Sequence, residues 1–288
     1  MPSVRDLRDR IKSLKNTQQI TKAMKQVASA KIRRATSVQK QAEPYAAALS
    51  DMLRDLMAAV GSVDHPFMKP GREGAPKGVI LMTADKGLAG AFNSNVIREA
   101  ERFSRGESGA VIWYAVGNKA RNATKRMAAE TAYSESLSAA EKLETAKTVA
   151  AQVTDDFNAG KISEIVLVSS RLVSVMVQRP EVRTLVPIAA PKRDGAASTG
   201  PRAEVEFSPS AEGVLTRLLP KYLEFTIFSA MLETDAAFFS AQLMAMTNAT
   251  DNAGKLLDDL TLAMNKARQA AITKEMLEIV GGAEAQAG

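Results

Sequence analysis

Cysteine is absent from this sequence of 288 residues, and histidine occurs once. Without thiols there is no disulfide, no thiolate nucleophile and no thiolate metal site. With His65 alone, in the loop Val63–Pro66, the usual zinc sites and His-centred triads lose their raw material. Long apolar runs are missing as well. Nothing approaches the roughly eighteen uninterrupted apolar residues of a membrane-spanning helix. The first residues include Arg5, Arg8, Arg10 and Lys12, but Asp6 and Asp9 stand among them, and no apolar segment or small-residue cleavage site follows. No secretory leader is expected, and a soluble chain in the cytoplasmic compartment is the default. Any chemistry of its own has to rest on carboxylates, lysines or a phosphate-binding loop.

What is present is periodicity. Leu215, Leu218, Tyr222, Phe225, Ser229, Leu232, Ala236, Phe239, Leu243, Met246, Thr250, Ala253, Leu257, Leu260, Met264, Ala267 and Ala271 follow one another at steps of three and four. That spacing keeps one seam of a helix turned toward a partner helix, as in a coiled coil rather than a globular-core helix. Only Gly213, Pro220 and Gly254 oppose helix between Ala211 and Val280. At 1.5 Å per residue this stretch predicts a rod of roughly 105 Å, which needs an equally long partner.

The other end of the chain offers one. Ser3 is placed to cap a helix whose apolar positions begin Val4, Leu7, Ile11 and Leu14, and Ile20, Met24, Val27 and Ala28 continue a drifting face. Pro44 should kink or interrupt it; Tyr45 to Val60 resumes the pattern and Gly61 closes it. The simplest arrangement is an antiparallel hairpin of the two ends, connected by a whole domain. Charge on the first helix is one-sided: residues 1–40 hold eleven Lys and Arg against Asp6 and Asp9, a net of +9, whereas the whole chain is +6. A solvated face and an acidic partner both fit this excess. Nucleic acid is not the expected partner, because the stretch has no aromatic residue to stack on a base.

Gly61 to Lys77 reads as a linker, rich in Pro and Gly. Three short apolar runs follow, Gly78–Thr83, Ala110–Val116 and Ile162–Val168, separated by helical patterns at Phe92–Arg105, Lys119–Ala129 and Ser138–Phe157. This alternation predicts a mainly parallel sheet in a layered α/β domain. Leu172–Gln178 and Thr184–Ile188 read as edge strands broken by Arg179-Pro180. Pro191–Pro201 reads as a second linker, and Ala203–Phe207 as a last short strand. The expected domains are 1–60, 77–190 and 211–286.

The one stretch that suggests chemistry is Thr83-Ala-Asp-Lys-Gly-Leu-Ala-Gly90, a glycine-bearing turn between a strand and a helix. Such turns can aim backbone N–H groups at a phosphate. Its glycines, at 87 and 90, fit neither the dinucleotide fingerprint nor the phosphate loop that ends in Lys-Ser/Thr. Asp85 and Lys86 could pair as acid and base, but no second titratable cluster adjoins them, and Gly117-Asn118-Lys119 is a weaker turn of the same kind.

Four motifs, in order from end to end, resemble the gamma subunit family of F-type ATP synthases. Ile11-Lys-Ser-Leu-Lys-Asn-Thr-Gln-Gln-Ile-Thr-Lys-Ala-Met24, followed by Val27, Ala28 and Lys31, resembles its N-terminal motif. Thr83–Gly90 with Asn93 resembles its first strand-turn. Ala249-Thr-Asp-Asn-Ala-Gly254 and Asn265–Glu278, ending in Gly282-Ala283, resemble its C-terminal signature. Two departures stand out: the usual Cys of the strand-turn is Ala89, and the cysteine-bearing regulatory insertion of the chloroplast type is missing, so thiol control is excluded.

The resemblance implies an α+β/α/β fold: a long antiparallel two-helix coiled coil of the N- and C-terminal helices, with an inserted Rossmann-like α/β domain. It implies a central-stalk rotor that carries torque and catalyses nothing itself, with no catalytic, cofactor or metal residue. The implied partners are three alpha and three beta subunits, an epsilon subunit and the c-ring. The implied place is peripheral to the membrane, on the cytoplasmic face of a bacterial cell membrane. By the same likeness Arg268 and Gln269 would form a polar catch on the beta subunit, Lys22, Lys25, Arg33 and Arg34 a basic side facing it, and Glu206 and Phe207 the foot near the c-ring. Two other classes remain open on the residues alone. A nucleotide-binding enzyme with a coiled-coil arm would bind ATP or NAD as the isolated chain, and a basic scaffold would bind DNA with a steep salt dependence.

Overall fold

The computed structural model describes residues 3–60, 65–107, 109–127, 130–135, 142–189 and 210–287. In chain order the elements are α1 (Val4–Val60), a short 3-10 turn (Pro66–Met68), β1 (Lys77–Met82), α2 (Phe92–Gly106), β2 (Val111–Val116), α3 (Asn118–Arg126), β3 (Thr131–Glu135), α4 (Lys142–Asn158), β4 (Ile165–Ser174), β5 (Val177–Val186) and α5 (Ala211–Ala287). The expected strand Ala203–Phe207 and the segment Pro191–Pro201 lie outside the described residues.

Ser3 does start α1. Its hydroxyl accepts the Asp6 N–H at 3.2 Å while its own N–H donates to the Asp6 carboxylate at 3.1 Å, a reciprocal cap that satisfies two donors at the helix entrance. Pro44 neither ends nor interrupts the helix, contrary to expectation, and Pro220 is likewise interior to α5. An interior proline costs about 3 kcal/mol. Burial of Leu49, Leu53, Leu56, Leu218, Leu219 and Leu223 close to the two prolines, at about 1.5–3 kcal/mol each, more than offsets that.

The chain divides into two compact units, Ala30–Ala241 and the pair of segments Met1–Ser29 with Gln242–Gly288. In the first, five strands form one sheet in the order β3-β2-β1-β4-β5. β3, β2, β1 and β4 are parallel; β5 runs antiparallel along the edge. Alternation along each strand supplies both faces. Val79, Leu81, Trp113, Ala115, Val166 and Val168 pack with Val96 and Ala100 of α2 and Ala120 of α3. Ile80, Met82, Tyr114, Val116, Ile165 and Leu167 pack with Val149 and Val153 of α4 and with leucines of α1 and α5. Cover on both sides is why these strands read as unbroken apolar runs.

Three expectations about this unit are corrected. β3 carries Thr131-Ala-Tyr-Ser-Glu135, too polar and short to stand out as a strand, yet it closes the sheet beside β2. β4 and β5 form one hairpin whose turn falls at Val175–Met176, inside the strand expected at Leu172–Gln178; β5 passes straight through Arg179-Pro180. Pro180 is tolerated there because β5 is an edge strand, where a missing donor leaves no ladder bond unmade. α5, finally, is a core helix here as well as a coiled-coil strand. Beside the seam residues Leu215, Leu218, Leu232 and Ala236, a second row of Leu219, Leu223, Ile227, Ala230, Thr234, Ala237 and Ala241 is buried.

In the other unit the first turns of α1 and the second half of α5 pair antiparallel. Leu7, Ile11 and Ala28 from one and Met246, Ala253 and Leu257 from the other are buried. The seam between them is partly polar: Gln18 Nε2 reaches the Thr250 carbonyl at 3.5 Å, and the Thr250 hydroxyl donates to Thr21 Oγ1 at 2.9 Å. Ile20 and Val27, expected on the apolar face, are 60% and 54% exposed. Ala28 is buried as expected, and Gln18 and Thr21 share that face with it. From Lys266 to Ala283 every residue of α5 is exposed except Ala267, which is half-buried, so the last turns are a single helix within this unit.

Candidate functional site

The strand-turn Thr83–Gly90 is knotted to its neighbours by the side chains that made it look chemical. Asn93 accepts the Ala84 N–H through Oδ1 at 3.0 Å and donates through Nδ2 to the Lys86 carbonyl at 3.0 Å. Thr83 Oγ1 accepts the Ala120 N–H, and Asp85 Oδ1 accepts the Asn118 N–H, both at 2.7 Å. These two N–H groups open α3, whose positive end is therefore occupied by the chain's own carboxylate. Gly117 passes this knot with φ +96, and a Cβ there would sit 2.1 Å from the Thr83 carbonyl oxygen. Leu88 and Gly90 adopt φ +62 and +57. The turn is a splice between β1, α2 and α3, with the Asp85 carboxylate bonded to backbone at the start of α3.

Next to it, within the same unit, lies a cleft of about 940 Å³ lined by Lys31, Arg34, Lys86, Lys142, Asp235 and Phe239 among others. Lys142 and Asp235 pair across it at 2.8 Å. Burial pushes the Asp235 carboxyl up, and Lys142 only partly pulls it back. The Lys31 ammonium lies 5.2 Å from the centre of the Phe239 ring, a cation–π contact. Among the described residues no group of three or more His, Asp or Glu side chains could hold a metal ion. His65, the lone histidine, accepts the Phe67 N–H at 3.1 Å and caps the 3-10 turn, and partial burial lowers its pKa.

The basic residues singled out in the sequence are surface groups. In the unit formed by Met1–Ser29 and Gln242–Gly288, Lys22 is exposed and Lys25 half-buried on α1, while Arg268 and Gln269 are exposed on α5. In the other unit Arg33 and Arg34 are exposed on α1. Among the described residues Lys22, Lys25, Arg34 and Arg268 have no ion-pair partner, which leaves their charge available to another molecule. Glu206 and Phe207 lie outside the described residues. Sequence reading missed the Lys142–Asp235 pair, and it also missed Glu233. One turn before the apolar Ala236–Ala237 pair, Glu233 accepts the Leu172 N–H at 3.3 Å and has its carboxyl pushed up by burial. Two carboxylates, Glu233 and Asp235, inside an otherwise apolar helical stretch were the available signal.

Among the described residues no helix is long and apolar enough to cross a membrane. A family model described as ATP synthase matches residues 3–286. The ATP synthase gamma chain of Pelotomaculum thermopropionicum is 46% identical over 286 residues, 99% of both chains. That of Desulforamulus reducens is also 46% identical over 286 residues, again 99% of both. Heliobacterium modesticaldum has one 42% identical over 291 residues, 99% of both. Among solved structures, a chain of the Euglena gracilis mitochondrial ATP synthase OSCP/F1/c-ring assembly superposes with a TM-score of 0.67 at 19% identity, covering 98% of this chain and 94% of that one. A chain of the Tetrahymena thermophila mitochondrial central stalk and c-ring gives 0.59 at 21% identity, covering 80% and 99%. At those identities the likeness is one of fold.

Proposed function

Since this chain belongs to the ATP synthase gamma chain family, we propose that it is the central-stalk rotor subunit of a proton-translocating F-type ATP synthase. Rotation of a c-ring would turn it, and its asymmetric helical pair would drive the catalytic beta subunits of a ring of three alpha and three beta subunits through their cycle of affinities. The observation that carries this reading is the match to gamma chains over essentially the whole length, on a fold whose two terminal helices pair. An unbroken α1 and an unbroken α5 suit the task. Each runs on as one helix through its interior proline, and two packed helices resist twisting better than one.

The chain contributes no catalytic group in this reading. The bonding of Asp85 and Thr83 to the first N–H groups of α3 supports that, because it fills that helix start with the chain's own side chains rather than a phosphate. Arg268 and Gln269 serve as the polar catch on a beta subunit, with Lys22, Lys25, Arg33 and Arg34 as the basic side facing it. Surface cations such as Lys22, Arg34 and Arg268, without an ion-pair partner among the described residues, suit intermittent contact with acidic loops, since each such pair is worth only about 0–1 kcal/mol and can be broken as the shaft turns. Glu206 and Phe207 would belong to the foot at the c-ring, and an epsilon subunit would sit beside the α/β unit. The complex would lie on the cytoplasmic face of a bacterial cell membrane, with this chain peripheral to the bilayer.

The test is the double replacement Arg268→Ala with Gln269→Ala, assayed in the assembled complex. ATP hydrolysis should fall severalfold while the isolated chain keeps its circular dichroism and unfolding midpoint. Unchanged hydrolysis would reject the catch. Failure of the unaltered chain to assemble with alpha and beta subunits would reject the rotor reading itself.

A further inference from the structure

The β4–β5 hairpin runs past the sheet and ends in an exposed apolar tip. Val173, Val175, Met176 and Val177 are 54%, 46%, 74% and 39% exposed. The tip is built rigidly. Ser174 Oγ accepts the N–H groups of Met176 and Val177 at 3.3 and 3.1 Å, and Gln178 Nε2 donates to the carbonyls of Val175 at 2.9 Å and Ser174 at 3.4 Å. Just below, Leu172 ties the hairpin to α5 through Glu233. Four apolar side chains are thus held out in water on a preorganised turn.

The pairing beneath the tip is equally unusual. Arg171 and Arg179 are direct cross-strand partners, so their side chains leave the same face of the hairpin, and both are exposed. Like charges in opposite positions destabilise a strand pair. Neither arginine has an ion-pair partner among the described residues, whereas further along β5 Arg183 lies 3.5 Å from Glu181. Glu233 feels the charge of Arg171 but spends its hydrogen bond on the Leu172 N–H. An uncompensated guanidinium pair beneath an apolar tip is complementary to a surface that presents carboxylates next to an apolar patch. Two arginine forks can each take a carboxylate bidentately, and the tip can then desolvate against the neighbouring apolar side chains.

We infer that the hairpin tip, Arg171 and Arg179 with Val173 to Val177, is a docking surface for an acidic polypeptide segment with apolar side chains beside its carboxylates. This surface is separate from Arg268, Gln269, Lys22, Lys25, Arg33 and Arg34, and it does not depend on the rotor reading.

The test uses the purified full chain and a fluorescein-labelled peptide of alternating leucine and glutamate, followed by fluorescence anisotropy at low and moderate salt. A leucine–lysine peptide and vesicles of phosphatidylcholine with phosphatidylglycerol are run in parallel. The chain should bind the acidic peptide, lose affinity as salt rises, and ignore the basic peptide. Arg171→Glu with Arg179→Glu should weaken binding about tenfold or more, because attraction becomes repulsion at both positions. Met176→Ser, at a position 74% exposed and therefore without effect on folding, should weaken it severalfold. Three results would overturn the inference: no binding of the acidic peptide, binding indifferent to both sets of replacements, or hairpin-dependent binding to the anionic vesicles in place of the peptide.

Discussion

Asp156→Ala removes the acceptor on which three donors converge inside the α/β unit. Asp156 is 4% exposed and receives the Tyr114 hydroxyl at 2.8 Å, Gln152 Nε2 at 3.1 Å and the Lys161 ammonium at 2.8 Å. Tyr114 is fully buried, so its hydroxyl would be orphaned at a cost of about 1–3 kcal/mol. The half-buried Gln152 amide adds about 0.5–1.5 kcal/mol. Lys161, with its side chain 64% exposed, returns to water and adds little. The expected loss is about 2–4 kcal/mol, a fall in unfolding midpoint of about 4–16 °C at the 2–4 °C per kcal/mol usual for a unit of this size. The pH dependence gives a second readout. Burial would push the carboxyl up, but the hydrogen bonds from Lys161, Gln152 and Tyr114 outweigh it and hold the pKa below its ordinary 3.8. A depressed carboxyl contributes stability that is fully present above the unfolded value and disappears as pH falls through the folded one. The gap between native chain and variant should therefore be constant from pH 5 to neutrality and shrink below about 3.8. Urea unfolding at several pH values measures it. A gap under about 0.5 kcal/mol at pH 7, or one that persists undiminished in acid, would refute this account of the network.

Other outcomes follow from the same geometry. Gly117→Ala should destabilise the α/β unit by more than about 3 kcal/mol, since it combines φ +96 with a Cβ 2.1 Å from a carbonyl oxygen; near-normal thermal unfolding would contradict the knot at the strand-turn. Glu233→Gln keeps an acceptor for the Leu172 N–H but removes a buried charge whose pKa is raised from 4.5 by burial. Native-chain stability should decline as pH rises from 4.5 through the folded value, and the glutamine variant should gain on it over that interval; a difference that moves the opposite way with pH excludes the burial effect. Under the rotor reading, Ala283→Cys on the exposed last turns of α5 should crosslink to a cysteine placed in a facing alpha or beta subunit, in a chain with no native thiol to interfere. If no position tried in either subunit forms a link, the tip is not enclosed by them.

The seam along α5 and the α/β alternation were legible because each is a repeated pattern, so a few atypical residues do not erase it. What escaped detection depended on single neighbours. Pro44 reads as a breaker in any local rule, and only the leucines buried beneath α1 overrule it. Arg179-Pro180 reads as the end of a strand unless β5 is known to be an edge. Ile20 and Val27 look like core residues, yet the helix pair turns Gln18 and Thr21 inward instead, because two threonines and a glutamine can bond across the seam where larger apolar groups would hold the backbones apart. At the strand-turn the residue types suggested phosphate chemistry, and their actual partners, the N–H groups of Asn118 and Ala120, lie more than thirty residues away in sequence. The hairpin's facing arginines became visible only once strand register was fixed.

The contrast along α5 has one more consequence. Up to Ala241 it is clad on two sides by leucine, isoleucine and methionine, whereas past Gln242 its inward positions include Thr250, Ala253 and Gly254. Among large apolar residues only Met246 and Leu257 are buried there, so this latter portion has less adhesive energy of its own and should fray first, its amides exchanging with deuterium well ahead of those near Leu223.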